Sequence, residues 1–189
     1  MNPKEEAPTL LMSPAEPQAV KSAFNARLGG YSVSTLPESY GVDMLWRARG
    51  TWFGVQRKTV SDFVASLLDG RITREVAQMR TRVSMPTLVI EGRVSFTLDG
   101  DRGMTLLGSG FGQTVTRKQW RGLMWSLASA GIAVDYTANI SETAAYVNEM
   151  MQWTTKMRHT SLTARPKLVD SAWGTPGSRD WGVYLLQGF

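Results

Sequence analysis

Apolar positions along this chain fall into short blocks whose spacing switches between the period of a strand and that of a helix. Residues 9–12 (TLLM) form an apolar run closed by Ser13 and Pro14, which predicts a first strand. Pro17 suits the first turn of a helix reaching about Leu28, where Gly29 and Gly30 stop it. After a loop, residues 42–48 (VDMLWRA) and 52–57 (WFGVQR) alternate as strands, with Arg49 and Gly50 as a tight turn between them. Thr59 can cap a helix over residues 60–68, whose Val60, Phe63, Val64 and Leu67 share one face. Asp69 and Gly70 interrupt, and a second helix spans about residues 72–82.

Residues 86–90 (PTLVI) are the most strand-like run and are expected at the centre of a sheet. Glycine and aspartate crowd residues 92–112, which predicts a hairpin or flexible insertion containing a strand near 94–98. A helix over residues 120–130, a strand at 132–136 (IAVDY) and a long helix capped by Ser141, with Glu142 close behind, complete the pattern to about Lys156. No internal repeat is present. Strands alternating with helices predict an α/β fold, a mixed sheet flanked by helices.

Composition narrows the chemistry. The 189 residues suffice for one domain with a sizeable core. No cysteine is present, so disulfides, thiolate metal sites and cysteine nucleophiles are excluded, and a single histidine, His159, rules out a multi-histidine metal cluster. Any metal must be held by oxygen, which favours Mg²⁺ or Mn²⁺. The net charge of +5 is compatible with a polyanionic partner. No stretch approaches the roughly 20 apolar residues needed to cross a membrane, and the N-terminus MNPKEEAPTLL lacks the pattern of a secretory signal.

Four residues could converge. If Arg49 and Gly50 make a tight turn, Asp43 and Gln56 lie near each other on paired strands, and Lys58 shares a sheet face with Gln56. Glu16 follows the first strand and could reach the same edge. A carboxylate-held metal beside a lysine is what phosphodiester hydrolysis uses, to activate water and to neutralise charge on the phosphate. A solvated hairpin carrying ordinary surface charges is the competing reading.

The text GVD…GVQRKTVSDFVASLLDGRI…PTLVIEG resembles the XPF-type nuclease domain, which has a restriction-endonuclease-like core. That family carries Gly-Asp on one strand, then Glu-Arg-Lys, three residues and Asp. Here the pattern falls on Asp43, on Gln56, Arg57 and Lys58, and on Asp62, followed by SLLDGR. PTLVIEG resembles the next strand, and GIAVDYTANISETAAYV the closing strand and helix, with Glu142 and Thr143 as the family's Glu-Thr pair. The likeness covers roughly residues 9–158, preceded by a flexible N-terminus over residues 1–8. It implies a structure-specific endonuclease acting on branched DNA such as Holliday junctions, flaps or forks, in phage or bacterial recombination and repair, and hence a cytoplasmic setting. It implies Mg²⁺ or Mn²⁺ held by Asp43, Gln56 and the Arg57 backbone carbonyl, with Glu16 near, and Lys58 orienting water or stabilising charge. It also implies a homodimer through the late helices, whose Trp125, Leu127, Tyr146, Met150, Met151 and Trp153 exceed one core-facing stripe.

Two departures stand out. The family's first strand ends in Asp-x-Arg-Glu-Pro; here Ser13, Pro14, Ala15, Glu16 and Pro17 keep only the glutamate and the proline. Gln56 stands where the family has a metal-binding glutamate; a deliberate knockout, a working natural variant and a decayed nuclease each account for it, and the intact remainder favours the working variant. Among other features, Arg71 and Arg74 are candidate phosphate contacts, with Arg80 and Arg82 on the same helix, and a solvated basic helix explains these four equally well; Arg57 is expected to brace the site or to touch phosphate. Trp120 is expected in the core or at a dimer interface. Glu91 is an ambiguous cleft acid, Gly108, Gly110 and Gly112 read as a hinge, and His159 as a helix-end cation. Residues 159–189 form a tail whose apolar 183–186 predicts that the chain stops short of a helix-hairpin-helix module.

Overall fold

A computed structural model describes residues 8–98, 104–106 and 115–156. Residues up to Thr155 form one compact unit, and a second begins at Lys156. The glycine loop at 108–112, His159 and the C-terminal tail lie outside the described residues, as does most of the N-terminal segment.

Among the described residues, eight strands and six helices follow one another as β1 (Leu11–Met12), α1 (Gln18–Leu28), β2 (Ser32–Val33), α2 (Leu36–Ser39), β3 (Met44–Ala48), β4 (Thr51–Thr59), α3 (Val60–Leu68), α4 (Arg71–Arg82), β5 (Pro86–Glu91), β6 (Phe96–Leu98), β7 (Met104–Leu106), α5 (Arg117–Ser129), β8 (Ala133–Thr137) and α6 (Ile140–Thr155). Six strands form a mixed sheet in the order β2-β1-β3-β4-β5-β8, and β6 pairs with β7 as a separate hairpin. The middle of the sheet is therefore β3 and β4, with PTLVI one place further out, between β4 and β8. The hairpin expected within 92–112 is present.

Each sheet face buries its own helices. On one side Val20 and Phe24 of α1 and Ala144, Val147, Met150 and Met151 of α6 pack on Met44, Trp46, Val55 and Val89. On the other, residues of α3, α4 and α5, including Phe63, Val64, Met79, Trp120 and Leu127, pack on Leu45, Leu88 and Ile90. Alternation along β3, β4 and β5 sends successive side chains to the two layers. Trp46 anchors one of them, donating its indole N–H to Thr154 Oγ1 at 3.0 Å.

Several local readings shift. The long helix starts at Ile140, and its first turn is capped from Asn139, whose Oδ1 accepts the Glu142 N–H at 3.1 Å, while Glu142 returns a carboxylate oxygen to the Ala138 N–H. Ser141 is thus inside the helix. Helix α5 begins three residues before Trp120, because Thr116 and Gln119 make a reciprocal capping box. Leu127, Met150 and Met151 are core residues, which leaves Trp125, 69% exposed, as the most prominent apolar side chain of the late helices.

Gly41 has φ +72°, and a Cβ there would lie 2.7 Å from the Glu75 carbonyl oxygen and 2.9 Å from Gln78 Cβ. Gly41→Ala should therefore lower stability by about 2 kcal/mol or more, combining left-handed strain with a backbone clash. Thermal melts of the two proteins measure this; an unchanged Tm would mean that α4 does not pack there.

Candidate active site

The hairpin between β3 and β4 sets the geometry. Arg49 (φ 49°) and Gly50 (φ 77°) occupy a two-residue turn with both central residues at positive φ, the form that matches strand twist. It pairs Ala48 with Thr51 and, at the other end, Met44 with Val55. The Asp43 N–H donates to the Val55 carbonyl at 3.0 Å, so Asp43, just before the paired start of β3, stays against β4. Strand β4 runs on past the end of β3, and the Arg57 N–H donates to Asp43 Oδ2 at 2.8 Å. In an extended strand the N–H and C=O of one residue point to the same side, so the Arg57 carbonyl faces the Asp43 side too. On the other flank, the Asp43 carbonyl accepts the Ser13 N–H at 2.8 Å. Ser13 Oγ donates to Glu38 and accepts the Ala15 N–H, which fixes the turn that carries Glu16.

Arg57 and Lys58 are neighbours that point to opposite faces. Lys58 shares its face with Gln56 and, through the parallel β4–β5 register, with Leu88 and Ile90. Its ammonium pairs with Glu75 of α4, 2.9 Å from Oε2 and 3.1 Å from Oε1. Arg57 faces the α1/α6 side, where its Nε and Nη2 hold both oxygens of Glu91 and Nη1 lies 3.5 Å from Glu16 Oε2. Glu91 Oε2 also accepts the Thr143 hydroxyl at 2.7 Å, and Thr143 in turn contacts Thr137 Oγ1 at 2.6 Å. The structure thus joins Glu16, Glu91 and Arg57 on one face, and Gln56, Lys58 and Glu75 on the other, with Asp43 between. Gln56 (6% exposed), Lys58 (7%), Glu91 (8%) and Glu16 (9%) are all buried, so this is no solvated hairpin.

A model described as the ERCC4 domain matches residues 18–150. The chain belongs to the ERCC4 domain family. No curated protein matches the sequence. Among solved structures, XPF from Aeropyrum pernix is similar at 22% identity and a TM-score of 0.57, over 96% of this chain and 73% of that one. XPF from the same organism in complex with DNA is similar at 21% identity and a TM-score of 0.52, over 96% and 74%. The XPF-type nuclease fold implied by the motifs is therefore present. The ERCC4 match spans Asp43, Gln56, Arg57 and Lys58, while Glu16 lies just before it.

Within this ERCC4 domain the motif residues divide their work. Asp62 is exposed and serves the start of α3: Thr59 Oγ1 accepts its N–H and donates to its carboxylate. Arg71 is half-exposed and held by Asp69 at 2.6 Å, and Arg74 is exposed; both sit on the first turns of α4. The Arg57 guanidinium is committed to two buried carboxylates, Glu91 and Glu16, an arrangement of the bracing kind. Sequence reasoning passed over Glu75, which lies seventeen residues beyond Lys58 on the next helix but one. Its place on the polar edge of α4 was the available signal, and only the packing of α4 reveals the contact.

Burial dominates the electrostatics. Asp43 is pushed up from 3.8 to about 7, first by burial and then by the Glu16 charge, with the Arg57 N–H and Lys58 opposing and Glu75 adding to the rise. Glu16 also rises, through burial against the pull of Arg57. For Arg57 burial disfavours the cation, yet the hydrogen bonds and charges of Glu91 and Glu16 outweigh it and the net shift is upward.

A carboxyl raised in the folded chain costs no stability below its unfolded pKa. The cost grows as the unfolded chain ionises and is complete above the folded value of about 7. Asp43→Asn should therefore stabilise the fold more at pH 8 than at pH 4.5, by a difference on the order of a few kcal/mol. Melts of parent and variant across that range test it; equal gains at both pH values would contradict the half-buried, acid-crowded environment of Asp43.

Proposed function

We propose that this domain is a divalent-metal-dependent endonuclease acting on branched DNA such as Holliday junctions, flaps or forks. The observation that carries this reading is the double contact of Asp43 with β4, at the Val55 carbonyl and the Arg57 N–H on either side of Gln56, with Lys58 on the Gln56 face, in a domain of the ERCC4 family. XPF from Aeropyrum pernix in complex with DNA shares this fold, which supports the same ligand class here.

The donor set suits a hard cation. Asp43 offers a carboxylate, Gln56 an amide oxygen, and the Arg57 carbonyl faces the same side. These are oxygen ligands of the kind Mg²⁺ and Mn²⁺ take. Only one of them is charged, and no group of three or more acidic or histidine side chains is arranged around a metal position among the described residues. Affinity is accordingly modest, with millimolar Mg²⁺ or Mn²⁺ required. When bound, such a cation lowers the pKa of a water and neutralises charge on a phosphate.

The protein's own groups do the rest. Lys58, buried on the same face, places a positive charge where negative charge develops on the scissile phosphate. Its burial removes competing water, which strengthens that interaction. Arg57 braces β4 against β5 and against the Glu16 turn, holding Asp43 and Gln56 in register. Arg71 and Arg74 contact the DNA backbone outside the cleft. A homodimer through α5 and α6, with Trp125 in the interface, would set two such sites at a fixed separation for paired nicks on a two-fold junction.

Gln56 favours one other reading, a catalytically silent DNA-binding subunit, because it removes the charge that secures the metal. Labelled junction, flap and linear duplex incubated with Mg²⁺ or Mn²⁺ separate the two. We expect the parent to cut branched DNA and EDTA to stop it; binding without cutting would favour the silent subunit, and cutting that persists in EDTA would overturn the metal mechanism. Asp43→Asn should abolish cutting while DNA binding persists in a gel-shift assay. Lys58→Ala should slow single-turnover cleavage by about a hundredfold with the fold retained; unchanged cleavage at an equal Tm would remove Lys58 from the mechanism.

A further inference from the structure

Position 56 leaves the site one carboxylate short, and another carboxylate stands beside it. Glu75 reaches the sheet on the Gln56 face, since its Oε1 accepts a hydrogen bond from Lys58 Nζ and Oε2 lies 2.9 Å from the same nitrogen. A second observation places it near Asp43. The Glu75 carbonyl oxygen would be 2.7 Å from a Cβ on Gly41, so the backbone of α4 abuts the loop residue two positions before Asp43. The third concerns the side chain itself. Glu75 Oε2 is buried, and its 2.9 Å contact with the Lys58 ammonium is an ion pair that lacks hydrogen-bond geometry. A buried carboxylate that shares one ammonium between both its oxygens keeps lone pairs unfilled, and a divalent cation is a partner that can take one.

We propose that Glu75 is the second carboxylate of the metal site: α4 supplies the negative charge that β4 lacks at Gln56. A divalent cation beside Asp43 would then be held by two carboxylates, with the Gln56 amide as a neutral donor. The two oxygens of Glu75 divide the work, Oε1 keeping the hydrogen bond to Lys58 while Oε2, only ion-paired to the same ammonium, turns a lone pair to the cation. The substitution at position 56 thereby becomes a relocation of charge, with the net charge of the site preserved. This inference rests on the metal-dependent reading above.

The test needs neither DNA nor turnover. Free Mn²⁺ is followed by electron paramagnetic resonance as the full chain is titrated, and a melt is recorded for each variant. The parent is expected to bind Mn²⁺, Glu75→Gln to weaken binding tenfold or more, and Glu149→Gln, at an exposed position on α6, to change nothing. The double variant Gln56→Glu/Glu75→Gln returns the carboxylate to β4 and should recover affinity to within a few-fold of the parent. Parent-like binding by folded Glu75→Gln overturns the proposal, and so does a folded double variant that fails to recover. If Glu75→Gln loses its fold, Gln56→Glu is compared with the double variant: loss of Glu75 should still weaken binding several-fold, and equal affinities overturn the proposal. A parent that binds no Mn²⁺ overturns the metal-dependent reading itself, and this proposal with it.

Discussion

A two-residue turn with both residues at positive φ fixes which residues of β3 and β4 face each other, and everything at the candidate site depends on that register. Side chains in a strand alternate, so a slip of one residue would move Gln56 and Lys58 to the α1/α6 layer and Arg57 to the other. Asp43 would lose its bonds to the Val55 carbonyl and the Arg57 N–H. The register is held from both ends: by Arg49 and Gly50 at the turn, and by the Asp43 N–H and carbonyl, bonded to Val55 on one side and Ser13 on the other. The hydrophobic layers reinforce it, because Val55 and Leu45 each have a prepared environment on only one face.

Adjacent cations on opposite faces pose a charge problem, and each face solves it separately. Arg57 meets Glu91 in a two-pronged pair with Glu16 close by, a geometry that a planar guanidinium satisfies better than an ammonium could. Lys58 meets Glu75. Buried ion pairs of this kind add little net stability, since desolvation cancels much of the attraction, but breaking one leaves an uncompensated charge and is costly. Their effect is positional. Glu91 ties the end of β5 to β4 and, through Thr143, to the first turn of α6, so three elements meet at the strand ends where Asp43 sits.

Much of this was legible in the sequence, for physical reasons that differ by element. The turn at Arg49 and Gly50, the Thr59 cap and the apolar stripe of α3 are local, and local signals survive in a single chain. Asp43, Gln56 and Lys58 could be brought together because period two and a tight turn leave few alternatives. The start of α5 was equally local, a Thr-x-x-Gln capping box at Thr116 and Gln119, and was passed over in favour of the apolar periodicity that begins at Trp120. Other features depended on packing between distant segments. The Thr143 bond to Glu91 spans fifty-two residues, and Glu75 gains its meaning from the way α4 closes on Gly41 and Lys58. The short β2 and α2 carry too few residues for any periodicity. Leu127, Met150 and Met151 looked like surplus apolar surface because a helix flanked by both sheet and neighbouring helix buries a wider stripe than a single face requires.

Manganese can be seen directly. Crystals of the domain soaked in Mn²⁺ and measured by anomalous diffraction at the manganese edge locate the ion without any assumption about activity. The predicted result is a single strong peak within ligand distance, about 2.0–2.3 Å, of an Asp43 carboxylate oxygen and on the Gln56 side of β4. A well-occupied manganese elsewhere in the domain, or none near Asp43 at saturating concentration, would contradict the assignment of this strand edge as the catalytic centre.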